Sequence, residues 1–348
     1  MKNRTLAVDG SYLMKRSFNG AKDVYTNSGH IGGLYQFITT LRKLIGLHKI
    51  NKCICFFDGQ NGGKMRYTLY NDYKANRKNK EWYNKIELTE TQIRVEKEKE
   101  ISYLQQIKRT QSYLEELFIR QIECPETESD DLIAQYCINH HMNEDIIIFT
   151  IDRDFAQLLS LNVKIIFANI KDEVIDKFNF LMNFGYDYSN ALTMKVICGD
   201  NSDNIKGIDG IKDTTLLKHF PDLQYRPMTV KEICQKANVI NKERVKNKLK
   251  PLKVFENLLK NTERLKLNYK LMNLSEPMLN EQAIEELKQL EMPLSPDNRG
   301  AKNLYKLMIE DEFLTIYKGT FVDFVQPFYT VIMNEKQLLT EYYKLNKK

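Results

Sequence analysis

The sequence predicts an α/β fold, a central and mostly parallel sheet flanked by helices with a mainly α region after it, and three observations carry that prediction. Four short apolar runs, Thr5 to Val8, Cys53 to Phe57, Ile146 to Ile151 and Val163 to Phe167, read as buried strands. Longer helical patterns alternate with them through the first half, as parallel strands joined by crossovers require. After about residue 185 the strand pattern fades into helical segments punctuated by Gly-Ile steps and by Pro277, Pro293 and Pro296.

Taken in order, the first strand ends at Asp9, the second at Asp58 and the third just before Asp152. Between the second and third, residues 64 to 120 contain neither Gly nor Pro and alternate charge with Ile, Leu and Tyr, so they are expected to be largely helical and partly exposed, a cap or arch over the sheet. The expected domains are residues 1–185, carrying the sheet and the arch, and residues 186–348, mainly helical.

The chain of 348 residues, 42% of them apolar, is long enough for one large core or two. Lys and Arg total 52 against 46 Asp and Glu, an excess that suits an acidic partner such as nucleic acid. The N-terminal apolar stretch is too short for a signal peptide, and no run approaches the roughly 18 apolar residues of a membrane span. The six scattered cysteines fit a reducing compartment, so a cytoplasmic protein with no membrane partner is expected.

In an open parallel sheet the ligand site lies beyond the carboxyl ends of the strands, which places Asp9, Asp58 and Asp152 on one rim. Glu128, Asp130 and Asp131, in ETESDDLIAQY, open a further helix, where backbone dipoles favour negative charge; simple capping explains that motif equally well on its own. Asp154 follows Asp152 in IDRDFAQLL, and Asp200 and Asp203 lie in GDNSDN. The count decides, because two carboxylates about 5 Å apart at an effective dielectric near 20 repel by roughly 3 kcal/mol, so nine converging ones need cations. Oxygen-only donors favour Mg2+ or Mn2+ over Zn2+. Two such ions roughly 4 Å apart suit phosphodiester hydrolysis.

These motifs resemble the flap endonuclease and 5′-3′ exonuclease family, which includes bacteriophage RNase H-type and exonuclease members and the 5′ nuclease domains of bacterial DNA polymerases. The resemblance spans about residues 5 to 220 and rests on VDG at Val8 to Gly10, FFDG at Phe56 to Gly59, YKANR at Tyr73 to Arg77, ESDD at Glu128 to Asp131, IDRD at Ile151 to Asp154 and GDNSDNIKGIDGI at Gly199 to Ile211. It implies a PIN-like 5′ nuclease core with a helical arch and a helix-three-turn-helix at about residues 191–222. It assigns Asp9, Asp58, Glu128 and Asp130 mainly to one metal ion, Asp152, Asp154, Asp200 and Asp203 to the other, and a supporting place to Asp131.

In YKANR, Lys74 and Arg77 are three apart, so on a helix they share a face and can reach the scissile phosphate, as matching residues do in the family. Seven basic side chains against Asp72 and Glu81 give residues 64 to 85 a local net charge of +5, with Lys78 among them and Tyr73, Trp82 and other aromatics interleaved for stacking on a single strand. A solvated helix with its aromatics in the core is the competing reading. Gly207 and Gly210, in the hairpin Ile205 to Ile211, would let backbone N–H groups approach duplex phosphates. Similar proteins usually carry Gly at the place of Lys212 and often Pro at that of Lys206; the departure puts in doubt the K+ that the family binds there, though both lysines can themselves contact phosphate. A third basic stretch, Lys242 to Lys253, carries six cations against Glu243 and extends the duplex track or is merely solvated.

The expected function is thus a monomeric, two-metal 5′ nuclease acting on branched or flapped DNA or an RNA–DNA hybrid, suited to primer or flap removal in phage-like replication, in a host cytoplasm if phage-encoded, alongside proteins such as a single-strand-binding protein. A PIN-like ribonuclease would lack the Gly199 to Ile211 hairpin, and a catalytically silent junction-binding protein would have lost some of the nine acids. No phosphate-binding G-x-x-x-x-G-K-[ST] loop is present, which disfavours an NTP-driven motor.

Overall fold

The structure is a computed structural model that describes residues 2–27, 29–76, 89–170, 173–297 and 299–346. Arg77, Lys78 and Trp82 lie outside the described residues. Two compact units emerge, one of Met1–Gly62, Glu87–Ile151 and Leu279–Lys348, the other of Gly63–Ile86 and Asp152–Met278. The division follows contacts rather than chain order, so the expected consecutive regions 1–185 and 186–348 are each shared between units.

In the first unit, β1 (Asn3–Asp9), β4 (Lys52–Asp58), β5 (Arg120–Cys124) and β6 (Glu144–Thr150) form a parallel sheet in the order β5–β4–β1–β6, beside a small antiparallel hairpin of β2 (Tyr25–Thr26) and β3 (Gly29–His30). Val8 pairs with Cys55 on one side and Phe149 on the other. Leu6 to Val8 and Cys53 to Phe56 are almost wholly buried, which is why these strands read as continuous apolar runs rather than alternating ones. Helices Gly10–Gly20, Gly32–His48 and Ser129–His140 flank the sheet.

Helix Glu90–Glu116 opens on a capping box between Thr89 and Gln92. Its first three turns are mostly exposed, while Gln106, Thr110, Tyr113 and Leu114 are buried. The helical expectation for 64 to 120 holds for Lys64–Leu69 and Glu90–Glu116, but residues 71–74 form a turn.

The C-terminal segment belongs to this first unit. Arg120 forms a bidentate ion pair with Glu335, at 2.8 and 2.6 Å, with both side chains at most 2% exposed, and also donates to the carbonyls of Leu290 and Met292. Arg109 pairs with Asp311 at 2.8 Å, and the Tyr113 hydroxyl donates to the same carboxylate. Among the described residues no helix is long and apolar enough to cross a membrane.

The second unit contains β7 (Lys164–Phe167), a 3-10 helix at Arg153–Leu161, and a short antiparallel pair, β8 (Gly199–Asp200) with β9 (Ile205–Lys206). Helices Ala191–Cys198 and Asp213–His219 flank that pair, and Val230–Lys246, Lys253–Lys260 and Thr262–Met272 follow.

Candidate functional site

In the first unit the chain gathers the expected acids at the carboxyl edge of the sheet. Asp9 ends β1, caps the next helix by accepting from the Tyr12 N–H at 3.0 Å, and accepts from the Thr150 hydroxyl at the end of β6. Asp58 ends β4, its N–H donating to Ser11 Oγ, two residues past Asp9. Asp58 Oδ1 accepts from both the N–H and the hydroxyl of Ser129 at 2.9 Å, and Ser129 lies between Glu128 and Asp130. Hydrogen bonds link Asp58 to the Glu128–Asp131 helix start through Ser129 and to the helix that Asp9 caps through Ser11. Asp9, Glu128 and Asp131 are buried, whereas Asp58 is exposed. Glu128 occupies the N-cap position of Ser129–His140 without a side-chain capping bond, so capping alone does not explain it.

In the second unit Asp152 caps the 3-10 helix by accepting from the Asp154 N–H. A residue absent from the sequence expectations stands beside this pair: the Lys195 ammonium lies 2.6 Å from Asp154 Oδ1 and is ion-paired with Asp200. Burial and the neighbouring Asp152 push the Asp154 carboxyl up to about 7, against the pull of Lys195. Burial also acts to raise Asp200, but Lys195 and the Ser202 hydrogen bonds bring it down to about 2. Lys195 itself, despite a burial penalty, is held protonated by Asp154, Asp152 and Asp200. Asp203 accepts from the Tyr73 hydroxyl at 3.2 Å and lies 3.9 Å from the Lys74 ammonium.

Two expectations for the basic segment are corrected. Tyr73 is 2% exposed, packed with Tyr67, Ile205, Leu271 and Met272, so its ring is not presented for stacking on bases. Lys74 sits in a turn with left-handed backbone, φ +53°, instead of on a helix. Arg66, counted in the local charge, is buried and donates to the Leu271 carbonyl.

Lys206 and Lys212 are exposed. A Cβ on Gly207 would stand 2.1 Å from the Cys198 carbonyl oxygen, so glycine is demanded there by close packing, while Gly210 is demanded by its φ of +83°. The stretch Lys242 to Lys253 is largely exposed, with Arg244 folded back onto the Lys250 carbonyl.

By donor chemistry the residues fit hard divalent ions, since each set offers oxygen alone and carries negative charge that a cation relieves. As the side chains are placed, no three Asp, Glu, His or Cys among the described residues enclose an ion. In the second unit the Lys195 ammonium stands against Asp154 and Asp200, and the Lys74 ammonium near Asp203.

Residues 4–185 match the family model described as the 5′-3′ exonuclease, N-terminal resolvase-like domain. A 5′-3′ exonuclease of Mycoplasmopsis pulmonis is 29% identical over 223 residues, covering 63% of this chain and 67% of that protein. Among solved structures, a bacteriophage T5 flap endonuclease in complex with DNA and metal ions shares the fold with a TM-score of 0.61 at 18% identity, over 91% of this chain and 100% of the other. A bacteriophage T5 5′-exonuclease with bound zinc ions gives 0.60 at 19% identity, over 90% and 99%.

Proposed function

The chain belongs to the 5′-3′ exonuclease family, and from that premise we propose that it is a structure-specific, divalent-metal-dependent 5′ nuclease that hydrolyses phosphodiesters near the 5′ end of branched or flapped DNA or of an RNA–DNA hybrid. The observation that carries the reading is the gathering, within each unit, of acids from separate elements: Asp9 and Asp58, with the helix start that bears Glu128 and Asp130, in one, and Asp152, Asp154 and Asp200, with Asp203 bonded through its N–H to Asp200, in the other. The first set is assigned mainly to one ion and the second to the other, with Asp131 supporting.

Held by these carboxylates, Mg2+, or Mn2+ in its place, would acidify a water and offset charge on the reacting phosphate. The Lys74 ammonium adds a fixed positive charge where the scissile phosphate gains negative charge in the transition state. Lys206, Lys212 and the backbone N–H groups of the Gly207–Gly210 hairpin grip duplex phosphates and set the register of the cut. We assign Arg77 and Lys78 to the same nucleic-acid track. Primer removal with RNase H activity in phage-like replication, acting as a monomer beside a single-strand-binding protein, is the setting this chemistry suits.

The test is one gel of 5′-labelled flap, nicked duplex and RNA-primed duplex, incubated with Mg2+, with Mn2+ and with EDTA. Cutting close to the branch in either metal and none in EDTA is expected. An intact flap in both metals sinks the reading.

A further inference from the structure

Turn 72–76 and loop 200–204 lie in the same unit and are joined by hydrogen bonds that span between 125 and 132 residues of chain. The Lys74 backbone N–H donates to the Asp203 carbonyl at 2.8 Å. On one side of that bond the Asn204 Nδ2 donates to the Asp72 carbonyl at 2.7 Å, and on the other the Asn76 Nδ2 donates to the Asn201 carbonyl at 2.8 Å. Each segment thus lends one asparagine to the backbone of the other. The Tyr73 hydroxyl, on Asp203, makes a fourth link.

This arrangement fixes register, because sliding either segment by one residue would leave all the main-chain acceptors facing the wrong donors. It also explains a local anomaly. Lys74 and Asn204 both hold left-handed backbone, at φ +53° and +58°. Asparagine tolerates that conformation, whereas lysine adopts it rarely. A local turn closed by the Ala75 N–H on the Asp72 carbonyl at 3.1 Å, together with the long-range bonding on both sides, holds Lys74 there. Its ammonium then rests 4.9 Å from the centre of the Tyr73 ring and 3.9 Å from Asp203 Oδ1.

We infer that Asn76 and Asn204 are positioning residues of the nuclease, a clasp that locks turn 72–76 to loop 200–204 so that the Lys74 ammonium is presented in one fixed placement. Neither asparagine touches substrate in this scheme; both act through Lys74. The inference rests on the proposed role of Lys74 at the reacting phosphate. Misplacing a reacting group by about 1 Å costs up to about a hundredfold in rate, so loss of one clasp bond is expected to cost about tenfold.

The experiment uses the full chain and a 5′-flap substrate. Asn204→Gly keeps the left-handed backbone without strain and removes only the side-chain bond, while Asn76→Ala removes the opposite one. Single-turnover cutting in Mg2+, the substrate Kd in Ca2+ and the melting temperature are measured for both variants, for Lys74→Ala and for each asparagine change combined with Lys74→Ala. The clasp predicts a rate about tenfold lower for each asparagine variant, a Kd within about twofold of wild type, and almost no further loss when Lys74 is already alanine, the non-additivity of residues that act as one unit. A wild-type rate in both asparagine variants overturns it. So does a tenfold loss that persists unchanged in the Lys74→Ala background, since that is the mark of general destabilisation. Wild-type cutting by Lys74→Ala itself would instead remove the assignment of Lys74 on which the clasp depends, so the two failures are told apart by that single variant.

Discussion

Asp154→Asn tests directly whether the second acidic set is crowded enough to call for a cation. The Asp154 carboxyl is pushed up to about 7 by burial and by Asp152, whereas an aspartate in an unfolded chain titrates near 3.9. Between those values the folded protein keeps a proton that the unfolded chain has released. The stability linked to this group is therefore full below about pH 4 and is lost as the pH rises through about 7. From pH 5 to pH 8 the loss runs over about two pH units at about 1.4 kcal/mol each, or about 3 kcal/mol. Asparagine cannot titrate, so the variant serves as a reference that lacks this carboxyl's own titration. Urea unfolding of both proteins in EDTA at pH 5 and pH 8 should show the wild type losing about 3 kcal/mol relative to Asp154→Asn. Adding Mn2+ at pH 8 should then raise wild-type stability and leave the variant less affected, because a divalent cation favours the ionised carboxylate and stabilises only the state that binds it. Stabilities of the two proteins that run parallel from pH 5 to pH 8 without metal would refute the reasoning that burial and Asp152 outweigh Lys195 at the Asp154 carboxyl.

Lys74→Ala should lower the single-turnover rate by about a hundredfold, the usual cost of losing one stabiliser of transition-state charge, with little change of Kd in Ca2+; a defect in binding alone would remove Lys74 from the chemistry. Gly207→Ala should weaken duplex binding more than single-strand binding, because its Cβ would meet the Cys198 backbone at 2.1 Å and the hairpin must shift. At Gly210 the nearest atom, Val254 Cγ1, is 3.3 Å away, so Gly210→Ala should act mainly through backbone strain of about 1–2 kcal/mol; equal losses on duplex and single strand for Gly207→Ala would count against the hairpin role. Glu335→Ala leaves Arg120 buried without its carboxylate and should cost about 3–5 kcal/mol in urea unfolding, while Glu335→Leu with Arg120→Met should recover most of it. A single-variant loss under about 1 kcal/mol would show that the pair does not hold the C-terminal helix.

The strands legible in the sequence were those buried on both faces, since two-sided burial leaves an unbroken apolar run. β5, RQIEC, was hidden because its buried Arg120 looks like a surface residue until Glu335, far along the chain, supplies the partner. The acids other than Asp203 were legible for a similar reason: each follows an apolar run or opens a helix, positions that local pattern marks. Orientation was not legible. Interleaved aromatic and basic residues read alike whether the rings face in or out, and Tyr73 is turned inward by Leu271 and Met272, which no local signal announces. Lys195 is the sharpest case. In ALTMKVIC a lone lysine on an apolar helix reads as a solvated side chain, and only the fold carries its ammonium to Asp154 and Asp200. Burial, and after it the neighbouring Asp152, keeps Asp154 high even though Lys195 pulls it down. An internal lysine thus compensates part of the repulsion that the acidic pattern implies. The remainder is what a bound divalent cation would have to balance, so the strength of the call for metal depends on a residue that the acidic motifs alone do not include.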